Sequence, residues 1–302
     1  MSSRYINGTH HKKPILVGGG LWDDVPTSIG DQFRSPYKVC VEDWNVAGVD
    51  GTLEARGASL SDLNTATAPT ETVASSPSPA LVISAGVGAD SGTQVCFIDA
   101  PSGATTASPP FKGIGPITPS ANTMNYKEFI FDTRVGFQVA AADWNSKALI
   151  GFGKEDATPL DSGTGEITHS GGFTGFHIRE DGTIGYANSV TAITSSTTIP
   201  GYDLSGVLSS SNIVWFKFGF RIRYYGTVSN SEVVTDFYVN NKHVATESGV
   251  NGALASTGPH GETFAVMNGA TSLLTKLNID YVATGITRDG LSYPYSDPGD
   301  IY

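Results

Sequence analysis

The stretch from Asn212 to Tyr225 constrains the fold more than any other part of the chain. Its even positions from 216 to 224 are aromatic or apolar, whereas its odd positions from 215 to 223 are mostly charged. This alternation is typical of an antiparallel strand that buries one face and exposes the other. Four aromatic rings and an isoleucine on one face need a second layer to cover them. We therefore predict a β-sandwich with a central strand at 212–225 and with Phe216, Phe218 and Phe220 in its core.

The same alternation predicts long strands at 126–140 and 274–286. Two hairpins are predicted, at 176–186 around Asp181-Gly182 and at 233–246 around Asn240-Asn241, because these turn residues accept positive φ values. The 36 glycines and 16 prolines and the low charged fraction of 16% favour strands and loops, so we expect little helix. Shorter strands are predicted at 37–41, 53–56, 81–84, 93–98 and 149–152.

These patterns predict one all-β domain with extended ends. Residues 1–20 have no strand pattern and end in three glycines, so we expect an extended N-terminal arm. The sandwich spans 21–290, with a loop-rich excursion around 60–79 where Ser, Thr, Ala and Pro dominate. Residues 291–302 form a C-terminal tail.

Charge excludes one class of partner and marks the arm as unusual. The net charge of −11 predicts that the body of the protein repels nucleic acid. The arm, by contrast, holds cationic residues and no acid, so it is either a solvated tail or a segment that docks on an acidic neighbouring surface. Under the second hypothesis, the contact residues are Arg4, Tyr5, His10, His11, Lys12 and Lys13.

Residues 1–13 lack the apolar region of a signal peptide, and no run of about 18 apolar residues occurs, so we expect synthesis in a cytoplasm and no membrane span. The two cysteines, Cys40 and Cys96, form no metal-binding pattern. We expect two buried free thiols, and a disulfide between them is the alternative.

The sequence contains no convincing catalytic motif. Glu128 and Asp132 share a strand face, but they are expected on a solvated outer face rather than in an active site. His177 has the opposite parity to its apolar neighbours, which predicts an exposed histidine. We predict no enzyme activity, no cofactor and no metal. A calcium site involving Asp156, Asp161 and Glu166 is a weaker alternative, because their spacing fits no known loop.

The order of the strands resembles that of the concanavalin A-like (lectin/glucanase-type jelly roll) proteins that tailed bacteriophages encode among their virion components. The resemblance covers about two thirds of the chain and concerns the fold more than any catalytic motif. The segments that carry it are LVISAGVGADSGTQVCF at 81–97, PFKG at 110–113, EFIFDTRVGFQV at 128–139, LIGFGKED at 149–156, GFHIREDGTIGY at 175–186, FKFGFRIRYYG at 216–226, DFYVNNKHVAT at 236–246 and LNIDYVATGITRDG at 277–290.

The resemblance implies a concanavalin A-like jelly roll and a virion structural protein, most simply a capsid decoration (cement) protein on the capsid surface. Its partner would then be the major capsid protein, and by analogy it would form a homotrimer. In the glucanase branch of this fold, the catalytic carboxylates project from one strand as E-x-D-x-x-E, and this sequence has no such run. The alternative is a carbohydrate-binding appendage for host adsorption, with Trp44 and Trp144 as glycan platforms unless they only cap the core.

Overall fold

The structure is a computed structural model in which fifteen strands can be described. It describes residues 21, 37–43, 59–63, 71–74, 80–86, 88–96, 128–139, 144–154, 156, 158–161, 167–189, 191–204, 212–227, 230–249, 260–269 and 275–287. None of these residues is helical. The predicted all-β class is therefore confirmed for the part of the chain that is described.

The strands follow one another along the chain with connections of very different length. Their bounds are β1 Tyr37–Asp43, β2 Ser59–Leu63, β3 Glu71–Ala74, β4 Ala80–Ser84, β5 Gly92–Cys96, β6 Glu128–Gln138, β7 Ser146–Lys154, β8 Phe173–Ile178, β9 Thr183–Ser189, β10 Thr197–Asp203, β11 Val214–Thr227, β12 Asn230–Val239, β13 Lys242–Gly249, β14 His260–Asn268 and β15 Lys276–Thr287.

These strands form two antiparallel sheets. Among the described residues, one sheet has eight strands in the order β13-β12-β11-β6-β15-β4-β3, with β1 also paired to β15. The other has seven strands in the order β10-β9-β8-β7-β14-β5-β2. The predicted strands at 212–225, 126–140 and 274–286 correspond to β11, β6 and β15, which are neighbours in the eight-stranded sheet. The predicted sandwich of two antiparallel sheets is confirmed.

The core lies between the sheets, where the apolar parity of each long strand meets its counterpart. Phe218 and Phe220 are fully buried and Phe216 nearly so, as the alternation predicts. The ring of Phe218 packs across the interface against Phe176 of β8, with ring centroids 4.9 Å apart. Phe129 of β6 meets Phe152 of β7 in the same way, at 4.8 Å. Aromatic pairs therefore join the two layers along the length of β11 and β6.

Both predicted hairpins are present, and their turns explain their sequences. β8 and β9 are joined through Gly182, which has φ +87°, and β12 and β13 through Asn240 and Asn241, with φ +50° and +66°. Asn240 also accepts a hydrogen bond from the backbone N–H of Lys217 through its side-chain oxygen, at 2.9 Å. The turn residues thus fix the register in which the strands pair.

Part of the predicted excursion at 60–79 is sheet, which corrects the sequence prediction. β2 lies at the edge of the seven-stranded sheet beside β5, and β3 lies at the edge of the eight-stranded sheet beside β4. Edge strands are often short and rich in polar residues, so their sequence pattern is weak. β10 is likewise an edge strand, and it tolerates Pro200 and Gly201 where a central strand would not.

The outer face of the seven-stranded sheet is covered by the chain itself. Phe173 lies over Gly151 and Gly175, where a Cβ on either glycine would come within 2.8 Å of its ring. Leu160 and Ile167 form an isolated β-bridge above this face. They belong to a second apolar cluster that comprises Leu149, Leu160, Ile167, Phe173, Ala187, Ile193, Ala265 and Met267. Residues on this outer parity are consequently buried rather than solvated.

Candidate functional site

Three polar residues and a glycine meet at one end of the seven-stranded sheet. Asp90 and Asn145 precede β5 and β7, and Glu180 and Gly269 follow β8 and β14. In an antiparallel sheet the start of one strand lies beside the end of its neighbour, so these four positions share an edge. We call this group, together with Lys147 in β7, the loop end.

Lys147 lies at the centre of the loop end, and its side chain is completely buried. Its ammonium donates a hydrogen bond to the backbone oxygen of Asp161 at 2.8 Å. It also lies 3.7 Å from Asp90 Oδ1 and 3.7 Å from Glu180 Oε2. The two carboxylate side chains keep 30% and 33% of their surface accessible. The cation is thus hidden, while its two acidic partners remain open to solvent.

The position of Asp90 is fixed by the loop that crosses from one sheet to the other between β4 and β5. The side-chain amide of Asn268 donates to the backbone oxygens of Ala85, Gly86 and Gly88 at 3.2, 3.0 and 2.9 Å. Asp90 has φ +55° and donates its backbone N–H to the oxygen of Gly269 at 3.1 Å. A buried amide with three acceptors therefore sets the geometry of the loop that presents this carboxylate.

Glu180 is held by the tight turn between β8 and β9. Gly182 donates its N–H to the oxygen of Arg179 at 2.9 Å, and Asp181 accepts from the backbone N–H of Thr183 at 2.9 Å. Hydrogen bonds from Thr183, together with the charge of Arg179, lower the pKa of Asp181 against a desolvation that raises it. A Cβ on Gly269 would collide with the Glu180 carboxylate, so the absence of a side chain there lets the carboxylate approach.

His177 lies on the same outer face of the seven-stranded sheet, next to the loop end. It is fully buried, which corrects the prediction that it is exposed. Its Nδ1 is 3.0 Å from the Oγ of Ser196, which directly precedes β10. Burial, followed by the charges of Arg179 and Lys147, lowers its pKa to about 3, so the ring is neutral at physiological pH. A neutral, buried ring supports the packing of this face rather than binding a ligand.

Glu262 is a second titratable group with a strongly shifted pKa, but it lies elsewhere. It is completely buried on the inner face of β14, where it pairs in register with Phe152. Desolvation raises its pKa to about 8. Because this carboxyl group points between the sheets, it is part of the interior and is separate from the loop end.

Glu128 and Asp132 are buried, contrary to the prediction of a solvated face. They lie on the outer face of the eight-stranded sheet, where Glu128 pairs with Arg221 and Asp132 lies 3.1 Å from Lys217 Nζ. Tyr281 also donates its hydroxyl to Asp132 Oδ2 at 3.4 Å. Both carboxylates are engaged by cationic neighbours, so this pair is structural. The sequence missed the burial because outward parity does not reveal what lies above a face.

Trp44 and Trp144 are the candidate glycan platforms suggested by the sequence, and only Trp144 is among the described residues. Trp144 is only 6% exposed, packs edge-on against Phe137 at 5.5 Å, and donates its indole N–H to the oxygen of Arg179 at 2.7 Å. It therefore caps the core, which is the role that the sequence left open beside ligand binding. Trp44 lies outside the described residues. So do all six proposed contacts of the arm: Arg4, Tyr5, His10, His11, Lys12 and Lys13.

Trp215, on the outer face of β11, is the partly exposed tryptophan among those described. Its ring lies over Gly136, where a Cβ would come within 3.0 Å of the indole. The guanidinium of Arg134 stands 4.5 Å from the ring centroid and forms an ion pair with Asp280 at 3.0 Å. The ring is thus covered by a cation–π contact, which stabilises the sheet surface.

The weaker calcium hypothesis finds little support in the side chains that are described. Asp156 accepts backbone N–H groups from Thr158, at 3.0 Å, and from Ser170. Desolvation raises its pKa, but these hydrogen bonds and the charge of His169 together outweigh it, so that the pKa is lowered. Asp161 offers its backbone oxygen to Lys147, and Glu166 lies outside the described residues. Among described residues, no group of three or more acidic, histidine or cysteine side chains could hold a metal ion.

Cys96 is a buried free thiol, as predicted, and its sulfur lies 3.0 Å from Thr263 Oγ1. The backbone of Cys40 pairs with Thr284 in β15, in the other sheet. Among the described residues, no helix is long and apolar enough to cross a membrane.

No pattern in the sequence brings Asp90, Lys147 and Glu180 together as a group. Asp90 lies between the predicted strands at 81–84 and 93–98, and Glu180 lies in a predicted hairpin turn, and loops at the ends of strands are where binding residues concentrate. Lys147 precedes the predicted strand at 149–152 with outward parity, which normally indicates a solvated lysine. Only the contacts with Asp90, Asp161 and Glu180 reveal that its ammonium is enclosed.

Neither a scan against protein-family models nor a search of curated proteins found a match to this chain. Similar solved structures include an endo-1,3-β-glucanase from Streptomyces sioyaensis, with 12% identity and a TM-score of 0.47, covering 84% of this chain and 98% of that one. A peanut lectin has 12% identity, a TM-score of 0.43, and coverage of 83% and 98%. A carbohydrate esterase of the Shiga toxin-encoding bacteriophage phi24B has 12% identity, a TM-score of 0.41, and coverage of 82% and 100%.

The titles of these similar structures name a lectin, a glucanase and a carbohydrate esterase. They include a lectin as well as enzymes, and at such low identities and TM-scores they support no inference about ligands or catalysis. What this chain binds must therefore be argued from its own side chains.

Proposed function

We propose that this protein is a non-catalytic binding protein, and that its loop end binds a hydroxyl-rich ligand such as a carbohydrate. One observation carries the proposal. Asp90 and Glu180 both approach the buried ammonium of Lys147 with one oxygen, at 3.7 Å, while each keeps part of its carboxylate accessible. Two oriented acceptors are thereby presented to solvent at the rigid end of a sheet.

The chemistry of these groups suits a polyhydroxylated ligand. A carboxylate accepts hydrogen bonds from hydroxyl groups, and such charge-assisted bonds are stronger than neutral ones. Asn145, half-buried beside Gly269, adds an amide that both donates and accepts. Neighbouring hydroxyls of one sugar ring can therefore meet acceptors and a donor at the same edge. This is the carbohydrate-binding alternative that the sequence left open.

Binding without catalysis agrees with the rest of the described surface. The outer face of the seven-stranded sheet is filled by its own apolar cluster around Phe173 and Leu149. On the other sheet, Glu128 and Asp132 are occupied by Arg221 and Lys217. At the loop end, by contrast, two carboxylates that share one buried cation keep about a third of their surface accessible, at 30% for Asp90 and 33% for Glu180.

The test is glycan-array screening followed by titration calorimetry of the best ligand. Asp90→Asn and Glu180→Gln are each expected to abolish detectable binding, because each replaces a charged acceptor by a neutral amide. Asp280→Asn is the matched control, since Asp280 is another partly exposed, ion-paired carboxylate, but on the other sheet. Binding that survives both loop-end substitutions contradicts the site. Turnover of a glycan that Glu180→Gln abolishes replaces binding by hydrolysis.

We also propose, from the resemblance, that the protein acts on a virion surface as a capsid decoration protein, with the major capsid protein as partner and a homotrimer as its assembly. Leu21 supports this reading. It is buried against Gly219 on the outer face of the eight-stranded sheet, and so anchors the junction between the predicted basic arm and the sandwich. A basic arm attached to a protein of net charge −11 is suited to an acidic neighbour.

The decoration proposal is tested by deleting residues 1–17 and mixing the truncated protein with bare capsids. Leu21 stays in place, so the sandwich is expected to fold while capsid occupancy falls. Undiminished occupancy contradicts the role of the arm. Sedimentation of the free protein tests the trimer, and a monomer at micromolar concentration counts against it.

A further inference from the structure

Lys147 occupies a position in which a cation is enclosed by oxygen atoms. Its side chain has no exposed surface, and three oxygens surround its ammonium: Asp161 O at 2.8 Å, Asp90 Oδ1 at 3.7 Å and Glu180 Oε2 at 3.7 Å. An ammonium has three N–H donors, so the three directions are matched in number. A buried charge without such partners would be strongly unfavourable.

Each of the three oxygens comes from a different segment of the chain. Asp90 belongs to the loop between β4 and β5, and Glu180 to the turn between β8 and β9. Asp161 belongs to the segment between β7 and β8 that lies over the outer face of the sheet. In that segment, Leu160 bridges to Ile167 and Pro159 accepts the N–H of Thr168 at 3.0 Å. The ammonium of Lys147 in β7 therefore contacts three separate segments: the β4–β5 loop, the β8–β9 turn and the segment that contains Asp161.

Carboxylate and backbone oxygens on converging loops are also the groups that bind calcium in proteins. Here the ammonium already stands among them. We propose that Lys147 is the resident cation of the loop end: a positioning residue that holds Asp90 and Glu180 in their binding geometry without a metal ion. The identity of the ligand rests on the proposed function. That the site needs no metal ion is inferred from the geometry of Lys147 alone.

Terbium luminescence tests the inference without any glycan, because Tb³⁺ occupies oxygen sites of the calcium type and is sensitised by nearby tryptophan. In the wild type we expect no saturable Tb³⁺ luminescence that depends on Asp90, so Asp90→Asn should leave the signal unchanged. Lys147→Met keeps the stem but removes the charge, leaving the two carboxylates and Asp161 O without their cation. We expect a gain of roughly tenfold or more in Tb³⁺ affinity, corresponding to about 1.4 kcal/mol, and its loss when Asp90→Asn is added.

Lys217→Met is the matched control. It removes another ion-paired lysine, the partner of Asp132 on the eight-stranded sheet, and is expected to give no signal that depends on Asp90. Two results overturn the inference. One is an Asp90-dependent Tb³⁺ signal in the wild type as strong as in Lys147→Met, and the other is a natively folded Lys147→Met, verified by near-ultraviolet circular dichroism, with no such signal.

If Lys147→Met does not fold, the wild type decides the question. Its unfolding temperature is expected to be the same in calcium and in chelator, and a calcium-dependent rise that Asp90→Asn abolishes overturns the inference. The glycan arm is read separately. Binding is expected to be unchanged by chelator and to be partly retained in Lys147→Arg. If no glycan binds, the proposed function fails while the terbium result still stands or falls by itself.

Discussion

The loop end and the outer face of the eight-stranded sheet are built from the same kinds of side chain, arranged in opposite ways. At the loop end, the lysine is hidden and the two acids are partly open. On the other face, the acids are hidden and the cations reach solvent: the side chain of Asp132 is fully buried, whereas that of Lys217 is 12% exposed. In the neighbouring pair of Glu128 and Arg221, both side chains are largely buried, at 8% and 12% exposed.

The difference teaches which partner of an ion pair is available to a ligand. Where the acid is enclosed, its oxygens are committed to the fold, and the pair contributes to stability. Where the cation is enclosed, it holds the acids from below, and part of each carboxylate side chain stays accessible to a ligand. We therefore expect substitutions on the eight-stranded sheet to change stability, and those at the loop end to change binding.

Substitutions in the core between the two sheets are expected to have the largest effect on the free energy of unfolding. Replacing Phe218 by Ala is expected to lower the free energy of unfolding by about 3 to 5 kcal/mol, through lost burial and a cavity between β11 and β8. Urea denaturation followed by tryptophan fluorescence measures it. An unchanged unfolding midpoint would mean that the two sheets are not joined through this ring.

Asp132→Asn is expected to lower the free energy of unfolding by about 3 kcal/mol, because it leaves Lys217 beside a neutral amide in a largely dry setting. The control is Asp280→Asn on the same sheet, which breaks a more exposed pair with Arg134 and is expected to change stability by about 1 kcal/mol or less. Equal effects of the two substitutions would break the comparison, since burial of the acid would then make no difference.

His177 should make stability depend on pH near the loop end. Its pKa is about 3 in the folded protein and 6.5 in the unfolded chain. Its contribution to the free energy of unfolding is therefore complete above pH 6.5 and is lost as the pH falls toward about 3. The loss between pH 6.5 and pH 4.5 is expected to be on the order of 2 kcal/mol. Urea midpoints of wild type and His177→Gln across this range measure it, and the variant should be flatter.

Glu262 acts in the opposite direction and must be separated from His177. Its pKa is raised from 4.5 to about 8, so its contribution is greatest below pH 4.5 and falls as the pH rises to about 8. The His177→Gln comparison is therefore best made in a Glu262→Gln background. Identical pH profiles with and without His177 in that background would contradict its burial as a neutral ring.

Asp90→Asn is expected to have the smallest effect on stability, about 1 kcal/mol or less, since Asp90 is partly hydrated and Glu180 and Asp161 remain to hold Lys147. Its effect on ligand binding should be complete. Differential scanning calorimetry measures the first and titration calorimetry the second. A loss of stability as large as that of Asp132→Asn would place Asp90 among the structural acids.

Much of the fold follows from the sequence. Period-two alternation predicts β11, β6 and β15, and it assigns Phe216, Phe218 and Phe220 to the buried face. The turn residues Asn240 and Asn241 predict the hairpin of β12 and β13, because few other side chains accept their backbone conformation. Short edge strands such as β3 and β10 are not predicted, since their sequences are short and mostly polar.

The sequence by itself thus determined which residues alternate between two faces and where the chain turns, because strand geometry and turn conformation are local properties. Only the tertiary structure decided which outward faces are covered. Glu128, Asp132 and His177 have outward parity and were predicted to be exposed, yet side chains from other parts of the chain contact them. Likewise, Lys147 reads as an ordinary surface lysine until Asp90, Asp161 and Glu180 meet around it. Burial of a polar group depends on these long-range contacts, and no local pattern encodes them.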